Sequence, residues 1–587
     1  MEKVKYPNPQ RIRKNWLDLN GKWLFKLDKI ESANKTEPIK KKDFDLEITV
    51  PYSYMFKKSG IDNQEYFPVV WYYREFELNK QTNKSYILNF EAIDYKCDIW
   101  INDVFVKTHE GGHVPFEINV TPHVSTHNTI TIRVEDNNDT NQPIGKQSWK
   151  DENFLCWYTR TIGIWQNVWL EETGNTYITD FTMKPNIHTA ELMIDATINN
   201  NKNALIEATV SYNGQFITKM ISSFKNRRAK FSIDVSSNLP NFRLFYWHPT
   251  DPNLYDIELN IIDENNILVD SIESYFGMRG IESHEEKIYI NDQEFYQKLI
   301  LNQGYYPDAG LTGTTNEFLY DLKKIKEMGF NGLRIHQKIE SHRLLYLCDK
   351  LGLVVWAEMP SFFEFSRMSN ENMFKEIHPF VDKHINHPSV IIYVVMNESW
   401  GVNEISHNEE EQNFVNALYY TVKSLDKTRL VVGNDGWEHT LTDVCTIHDY
   451  NTDERTFEAS YENKEMVIRE SPSLTSGRKT YCKGYEHQQK PFIISEYGGL
   501  AYQQDQTEAS WGYGERIQSK EDVLLKIENL TKAVMKIEFC SGFCYTQLTD
   551  VEQEVNGLLD HNHQYKFDPK EIRAILESDR QYGFTFK

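Results

Sequence analysis

Two acidic residues close apolar runs in the second half of the chain. Glu398 ends "IIYVVMNE" and Glu496 ends "PFIISE", each after at least four largely apolar residues and one small or amide residue. A carboxylate at the end of a buried strand is costly unless it is paired or partly solvated. Two carboxyl groups facing each other across a cavity are the minimum equipment for cleaving a glycosidic bond. One, protonated, helps the leaving oxygen depart; the other, ionised, attacks the anomeric carbon. A gap of about 5 Å means retention at that carbon, and about 6.5–9.5 Å means inversion. Singly, each glutamate is explained as well by a loop cap or by a pair with an arginine such as Arg334. Together, with aromatic residues beside both, they favour chemistry.

Polar residues end the neighbouring apolar runs as well. Asp308 follows "KLILNQG", Arg334 and His336 lie in "FNGLRIHQ", and Glu358 lies in "LVVWAEMP". Asn397 adjoins Glu398, Trp437 follows "RLVVGNDG", His448 and Tyr450 lie in "TIHDY", and Tyr497 adjoins Glu496. With Trp511 in "WGYG", whose flat ring suits the C–H face of a sugar, these are the candidate substrate contacts. Each has a plainer reading. His336 also fits a satisfied core histidine, and Trp511 fits surface packing. Asp308 and Glu358 could bind hydroxyls or a metal, and neither is assigned to a metal.

Bringing distant strand ends together requires parallel strands side by side. From about residue 284 the sequence alternates β and α periods. "TNEFLYDLKKIKEMG" reads as an amphipathic helix with a Thr cap and a Gly stop, and "SHRLLYLCDKLG" repeats the pattern. About eight near-continuous apolar strands over some 300 residues fit a parallel sheet covered on its outer face. That number favours a (β/α)8 TIM barrel, whose strand C-termini face one site. No Gly-rich phosphate loop follows the first strand, which counts against an open dinucleotide-binding sheet. The first 283 residues read as β. In "SYILNFEAIDYKCDIWIND" and "VFVKTHEGG" two runs flank a polar turn at Asn102-Asp103. We expect a multidomain chain: a jelly-roll-like β-sandwich over 1–172, an immunoglobulin-like β-sandwich over 173–283, and the barrel over 284–587.

Charge and composition exclude some partners. Lys and Arg total 64 against 86 Asp and Glu, a net charge of −22, which would repel nucleic acid and anionic membrane. No run of about 18 apolar residues predicts a membrane span, and the N-terminus lacks the apolar stretch of a signal peptide. Seven cysteines without a C-x-x-C pair read as buried apolar residues in a reduced cytoplasm, with no zinc site. No cofactor is expected.

The chain is identified by its motifs as resembling glycoside hydrolase family 2, the β-galactosidase, β-glucuronidase and β-mannosidase group. "YPNPQRIRKNWLDLNGKWLFKL" looks like the family's opening, and "YTRTIGIWQNVWLE" is similar to the stretch that closes its sugar-binding-like sandwich. "WHPTDPNLYDIELNI" and "YFGMRGIE" match its immunoglobulin-like domain; "MNESWG" and "SEYGG" look like its acid/base and nucleophile motifs. The resemblance covers nearly the whole chain. It implies that Glu398 is the general acid/base and Glu496 the nucleophile. It also implies that Asn397 bonds the sugar 2-hydroxyl, and that Arg334 lies close to the nucleophile and keeps it ionised. Tyr450 or Tyr497 would orient the nucleophile.

There are departures. Gln337 stands where the large β-galactosidases have a His, and strand eight reads "FCYTQLTD" where Trp is usual. The Asn-x-Lys of β-glucuronidases is missing from "NGLLDHNHQYK", with Lys338 as a substitute cation. The expectation is a retaining exo-β-glycosidase acting on a glycoside or oligosaccharide, first a β-galactoside. β-Glucuronide, β-mannoside and α-L-arabinoside follow. A non-catalytic carbohydrate binder on the same scaffold is the alternative, and a homo-oligomer is compatible with catalysis.

Overall fold

A computed structural model describes residues 3–29, 37–239, 243–470, 477–502, 510–514, 517 and 519–578. The N-terminal part is a sandwich of a six-stranded and a four-stranded antiparallel sheet. The strands Lys96–Ile101 and Val104–Glu110 form the expected hairpin. Asn102 and Asp103 turn it with φ of 52° and 64°, the left-handed values that a two-residue turn requires. Between the sheets Trp23, Phe25, Tyr72, Leu88 and Ile132 form a closed core.

The second sandwich pairs a three-stranded with a four-stranded sheet. Its strand Glu191–Ile198 alternates half-buried and buried residues without a break, the period of a sheet with one face on the core. A small three-stranded sheet over Ile281–Glu294 follows, and its Ile288 and Ile290 join the core inside the barrel.

The barrel strands are β1 (Gln297–Asn302), β2 (Gly332–Ile335), β3 (Val354–Glu358), β4 (Val390–Val394), β5 (Leu430–Val432), β6 (Cys445–Asp449), β7 (Phe492–Gly498) and β8 (Cys540–Thr546). Parallel ladders run from β5 back through β1 to β8, β7 and β6. Between β5 and β6 the closure is made by Asp443 N donating to Val431 O (2.8 Å) and His448 N donating to Gly436 O (3.3 Å). Outward residues such as Ile300, Leu333, Val355 and Ile447 pack under the helices. Inward residues Leu301, Trp356, Val394, Val432 and Cys544 fill the barrel. Helix α1 (Thr315–Glu327) starts on a Thr314 capping box, and α2 (His342–Leu351) stops at Gly352 with φ of 70°, as the sequence predicts. Helices α3 (Arg367–His384), α4 (Glu409–Leu425), the short α5 (Glu454–Ser460) and α6 (Lys464–Arg469), α7 (Lys520–Lys536) and α8 (Pro569–Glu577) complete the outer ring. No described helix lies between β5 and β6; a loop from 433 to 444 does the connecting and carries site residues. Among the described residues no helix is long and apolar enough to cross a membrane. All seven cysteines are free.

Candidate active site

The period-two alternation of the strands decides what reaches the barrel mouth. Ile335 and Leu333 point outward, so Arg334 and His336 point in. By the same alternation Glu358 follows Trp356 inward and His448 is inward of Ile447. At β4 the alternation has to break, because Asn397 and Glu398 are consecutive and both reach the mouth. The strand ends at Val394, and Glu398 and Ser399 take left-handed φ values of 53° and 59°. This turn is clamped from the β5 loop. Asn434 Oδ1 accepts from Ser399 N (3.0 Å), Asp435 O accepts from Glu398 N (2.9 Å), and Ser399 Oγ donates to Glu438 (2.6 Å).

Arg334 lies at the centre, fully buried, and every arm is engaged. Its Nε donates to Glu358 Oε2 (2.7 Å) and its Nη2 to Asn397 Oδ1 (2.7 Å). Its Nη1 meets Glu496 Oε1 (2.8 Å) and Asp435 Oδ2 (2.6 Å). Burial alone would drive its proton off, but Asp435, Glu358 and Glu496 hold the guanidinium charged. Oxygens of Glu398 and Glu496 and a nitrogen of His448 all lie within 4.8 Å of one another. His448 bridges Glu398 Oε1 (2.8 Å) and Asp435 Oδ2 (2.8 Å) and is 3.4 Å from Glu496 Oε1. Glu496 Oε2 accepts a short hydrogen bond from the Tyr450 hydroxyl. Tyr450 in turn stacks on Tyr513 at 3.4 Å. Burial raises the Glu398 carboxyl, but the hydrogen bond and charge of His448 outweigh it and hold it below the usual range. Burial pushes Glu358 up to about 7 against the pull of Arg334.

Several expected contacts need correction. Tyr497 alternates with Glu496 and so points outward, where its hydroxyl meets Thr531 of α7 at 2.9 Å. Asp308, half-exposed, pairs with Lys57 (3.0 Å) of the first sandwich and lines a separate cleft with Asn153 and Glu552. Glu358 and His448 are fully buried beneath the mouth and are spent on Arg334 and on the carboxylates, so neither is presented to a sugar. Lys338 is no substitute cation, because it is consumed by Gly304 O, Leu311 O and Glu340.

Other candidates stay near the mouth. His336 sits over Glu358 (3.3 Å) and is kept neutral by burial and Arg334. Asn397 has an amide nitrogen with no protein partner among the described residues. Trp437 lies edge-on to His448 at 5.6 Å, and Trp511 packs on Tyr513 at 4.8 Å. Trp400 donates its indole N–H to Glu398 Oε2 (3.1 Å) and packs on Trp157 (5.0 Å).

Sequence reasoning missed residues that come from loops. Asp435 stands two residues before the expected Trp437, in a run that offers no alternation to rank its members. Glu554 follows β8, accepts from the Tyr158 hydroxyl and from Asn556 (2.9 Å), and feels the charge of Glu496. Lys146 and Cys156 belong to the first sandwich, and the Cys156 thiol is hydrogen-bonded to Lys146 within reach of the Glu398 charge. The Lys146 loop is fixed to the barrel, with Gly145 N donating to Ser361 O (3.0 Å) and Phe363 N donating to Thr140 O (2.8 Å). Gly145 has φ of +64°, and a Cβ there would lie 2.4 Å from Gln337 O. The Lys146 ammonium lies 4.9 Å from the Trp157 ring and makes no ion pair among the described residues, while its charge reaches Glu398, Glu554 and His336. Among the described residues, the His/Cys/Asp/Glu group close enough to share an ion is Glu398, His448 and Glu496; a cation there would have to displace the hydrogen bonds of His448 to the carboxylates.

Three family models match the chain: glycosyl hydrolases family 2, sugar binding domain, over 38–174; glycosyl hydrolases family 2 over 176–279; and its TIM barrel domain over 281–557. A putative β-glucuronidase of Formosa agariphila is 26% identical over 457 residues, 74% of this chain and 50% of that protein. A β-galactosidase of Thermoanaerobacter pseudethanolicus is 24% identical over 454 residues, 74% of this chain and 58% of that protein. The chain thus aligns with little more than half the length of these two relatives. Among solved structures, Bifidobacterium dentium β-glucuronidase has a TM-score of 0.78 at 18% identity, covering 98% of this chain and 99% of that one. A β-galacturonidase of Eisenbergiella tayi bound to galacturonate has a TM-score of 0.75 at 19% identity, covering 97% and 98%.

Proposed function

Because the chain belongs to glycosyl hydrolases family 2, we propose that it is a retaining, exo-acting β-glycosidase working by double displacement. Glu496 attacks C1 and forms a glycosyl-enzyme while Glu398 protonates the departing oxygen. Glu398 then takes a proton from the water that releases the sugar. The observation that carries this reading is the separation of the two carboxylates. One oxygen of Glu398 and one of Glu496 lie within 4.8 Å of each other, so both carboxylates can reach a single anomeric carbon, as the close spacing of about 5–5.5 Å in retaining enzymes requires. Arg334 and Tyr450 both bond Glu496, which suits a carboxylate that must be ionised and aimed. The amide nitrogen of Asn397, without a protein partner among the described residues, suits a hydroxyl beside C1.

A β-galactoside is the first sugar expected from the sequence. A β-uronide is the second reading, and one observation favours it: the buried Lys146 ammonium, which bonds the Cys156 thiol, feels the charges of Glu554 and Glu398, and has no ion pair among the described residues. p-Nitrophenyl glycosides of both anomers, including galactoside, glucuronide and galacturonide, test both readings. Hydrolysis of β-glycosides whose first product by NMR is the β-anomer is the expected result. An α-anomer as first product, or no hydrolysis across the panel, overturns the retaining reading. Lys146→Met lowers kcat/KM on a uronide about a hundredfold more than on a galactoside if the uronide reading holds.

A further inference from the structure

His448 is wholly buried between two carboxylates, with Nδ1 at 2.8 Å from Glu398 Oε1 and Nε2 at 2.8 Å from Asp435 Oδ2. A neutral imidazole has one N–H donor and one bare acceptor nitrogen. A bare nitrogen at that distance from an ionised carboxylate oxygen would set lone pair against lone pair. The three groups therefore hold one proton beyond those of two carboxylates and a neutral ring. Either both ring nitrogens carry hydrogen, or a carboxyl group donates to the ring. Asp435 does not keep the extra proton, because its Oδ2 also lies 2.6 Å from Arg334 Nη1. The proton is confined to the Glu398–His448 pair.

We propose that His448 is the proton store of Glu398, holding on Nδ1 the proton that Glu398 delivers to the leaving oxygen. This rests on the glycosidase reading above. In the resting state an imidazolium lies between two carboxylates. During glycosylation the proton passes from Nδ1 to Glu398 and from Glu398 to the glycosidic oxygen, as the C1–O bond breaks and the bond from Glu496 to C1 forms. In the glycosyl-enzyme the bare Nδ1 faces the ionised Glu398, and that lone-pair repulsion makes Glu398 a stronger base; in the second half water gives a proton to Glu398, which returns it to His448. The water oxygen bonds C1 and Glu496 departs. No proton or electron is gained or lost over the cycle.

The surroundings suit the store. Glu398 faces the ring from the turn after β4, Asp435 from the loop after β5, Glu496 from β7 at 3.4 Å and Arg334 from β2 at 3.4 Å. Burial alone would strip the ring of its charge, but Glu496 and Asp435 outweigh it and raise the imidazole to about 10. Gly436 makes room, since a Cβ there would lie 2.8 Å from the ring. His448 acts through Glu398 and is a positioning residue that never touches substrate.

The test uses leaving groups. A 2,4-dinitrophenyl glycoside departs without protonation, and a methyl glycoside of the same sugar does not. For His448→Gln, kcat/KM is expected to fall about a hundredfold more on the methyl than on the dinitrophenyl substrate, the scale of general-acid assistance. Its basic pH limb should move down. Labelling of Glu496 by a 2-fluoro glycosyl fluoride should persist. Equal losses on both substrates would mean a merely structural role and overturn the proposal, as would no loss on either. If His448→Gln does not fold, ¹⁵N-histidine NMR of the wild type decides. A doubly protonated His448 at pH 7 is expected, and a neutral tautomer overturns the store. A wild type that neither hydrolyses any glycoside nor labels at Glu496 refutes the family reading instead.

Discussion

Arg334 Nη1 meets Glu496 Oε1 at 2.8 Å, and both belong to a buried network in which the same guanidinium serves Glu358, Asp435 and Asn397. A lysine keeps the charge but offers a single point donor, and no ammonium can reach all four acceptors. Arg334→Lys is expected to lower kcat/KM at least about a hundredfold. It should also cost about 3–5 kcal/mol of stability, because buried carboxylates lose their partner. Kinetics and denaturant melts check both. Near-native activity would mean that the network holds Glu496 without the fork.

Adjacent strand positions give a sharper contrast. Tyr450 bonds Glu496, whereas Tyr497 bonds Thr531 under a helix. A hydrogen bond to a charged group contributes about 1.5–3 kcal/mol, so Tyr450→Phe is expected to lower kcat roughly 10- to 100-fold. Tyr497→Phe should leave kcat within about twofold and cost about 1 kcal/mol of stability. Steady-state kinetics and melts of the two variants separate them, and a reversed pattern would reassign the tyrosine that orients Glu496.

That contrast also marks what a sequence can tell. Strand parity fixes the inward set Arg334, His336, Glu358 and His448 once the strands are located, and hydrophobic runs locate them; Glu496 turns inward only because β7 slips register after Ile494. Unbroken parity from Ile493 would carry Tyr497 inward; the same register slip sends it outward, and no pattern in the sequence marks that slip. The two glutamates were visible because each ends a long apolar run. Asp435, Glu554, Lys146 and Cys156 were not, because they sit on loops with no period. Lys146 and Cys156 also arrive from another domain, some 250 residues before Glu398 in sequence. The docking of the 140–145 segment on Gln337, Ser361 and Phe363 brings that lysine near the glutamates.

Azide separates the roles of the two carboxylates. Glu496→Ala removes the attacking oxygen, and turnover is expected to fall more than about 10⁴-fold. Azide entering the vacated space attacks the opposite face of C1 from the leaving group, so the rescued product should be the inverted glycosyl azide. Glu398→Ala keeps the covalent intermediate, and azide should then give the retained product. Product anomers read by NMR decide the matter: a retained azide from Glu496→Ala would exchange the two roles.

Glu376 on α3 is fully buried against Gly111 and Gly112 of the first sandwich. Burial pushes its carboxyl from 4.5 up to about 8, against the weaker pull of the His113 and Gly112 N–H groups. Below the ordinary value of 4.5 the group is protonated in both folded and unfolded chains, and it costs nothing. Between about 4.5 and 8 the unfolded chain releases the proton while the folded chain keeps it, so stability falls as pH rises through this window. Above 8 both forms are ionised and the loss, on the order of 5 kcal/mol, is complete. Glu376→Gln removes the titration but keeps the shape. Urea melts at pH 5 and pH 8.5 should show a smaller drop for the variant than for the wild type, with the difference concentrated at the higher pH. Parallel drops would mean that the sandwich–barrel interface lets water or a cation reach Glu376 and that its burial does not set the alkaline limit of the fold.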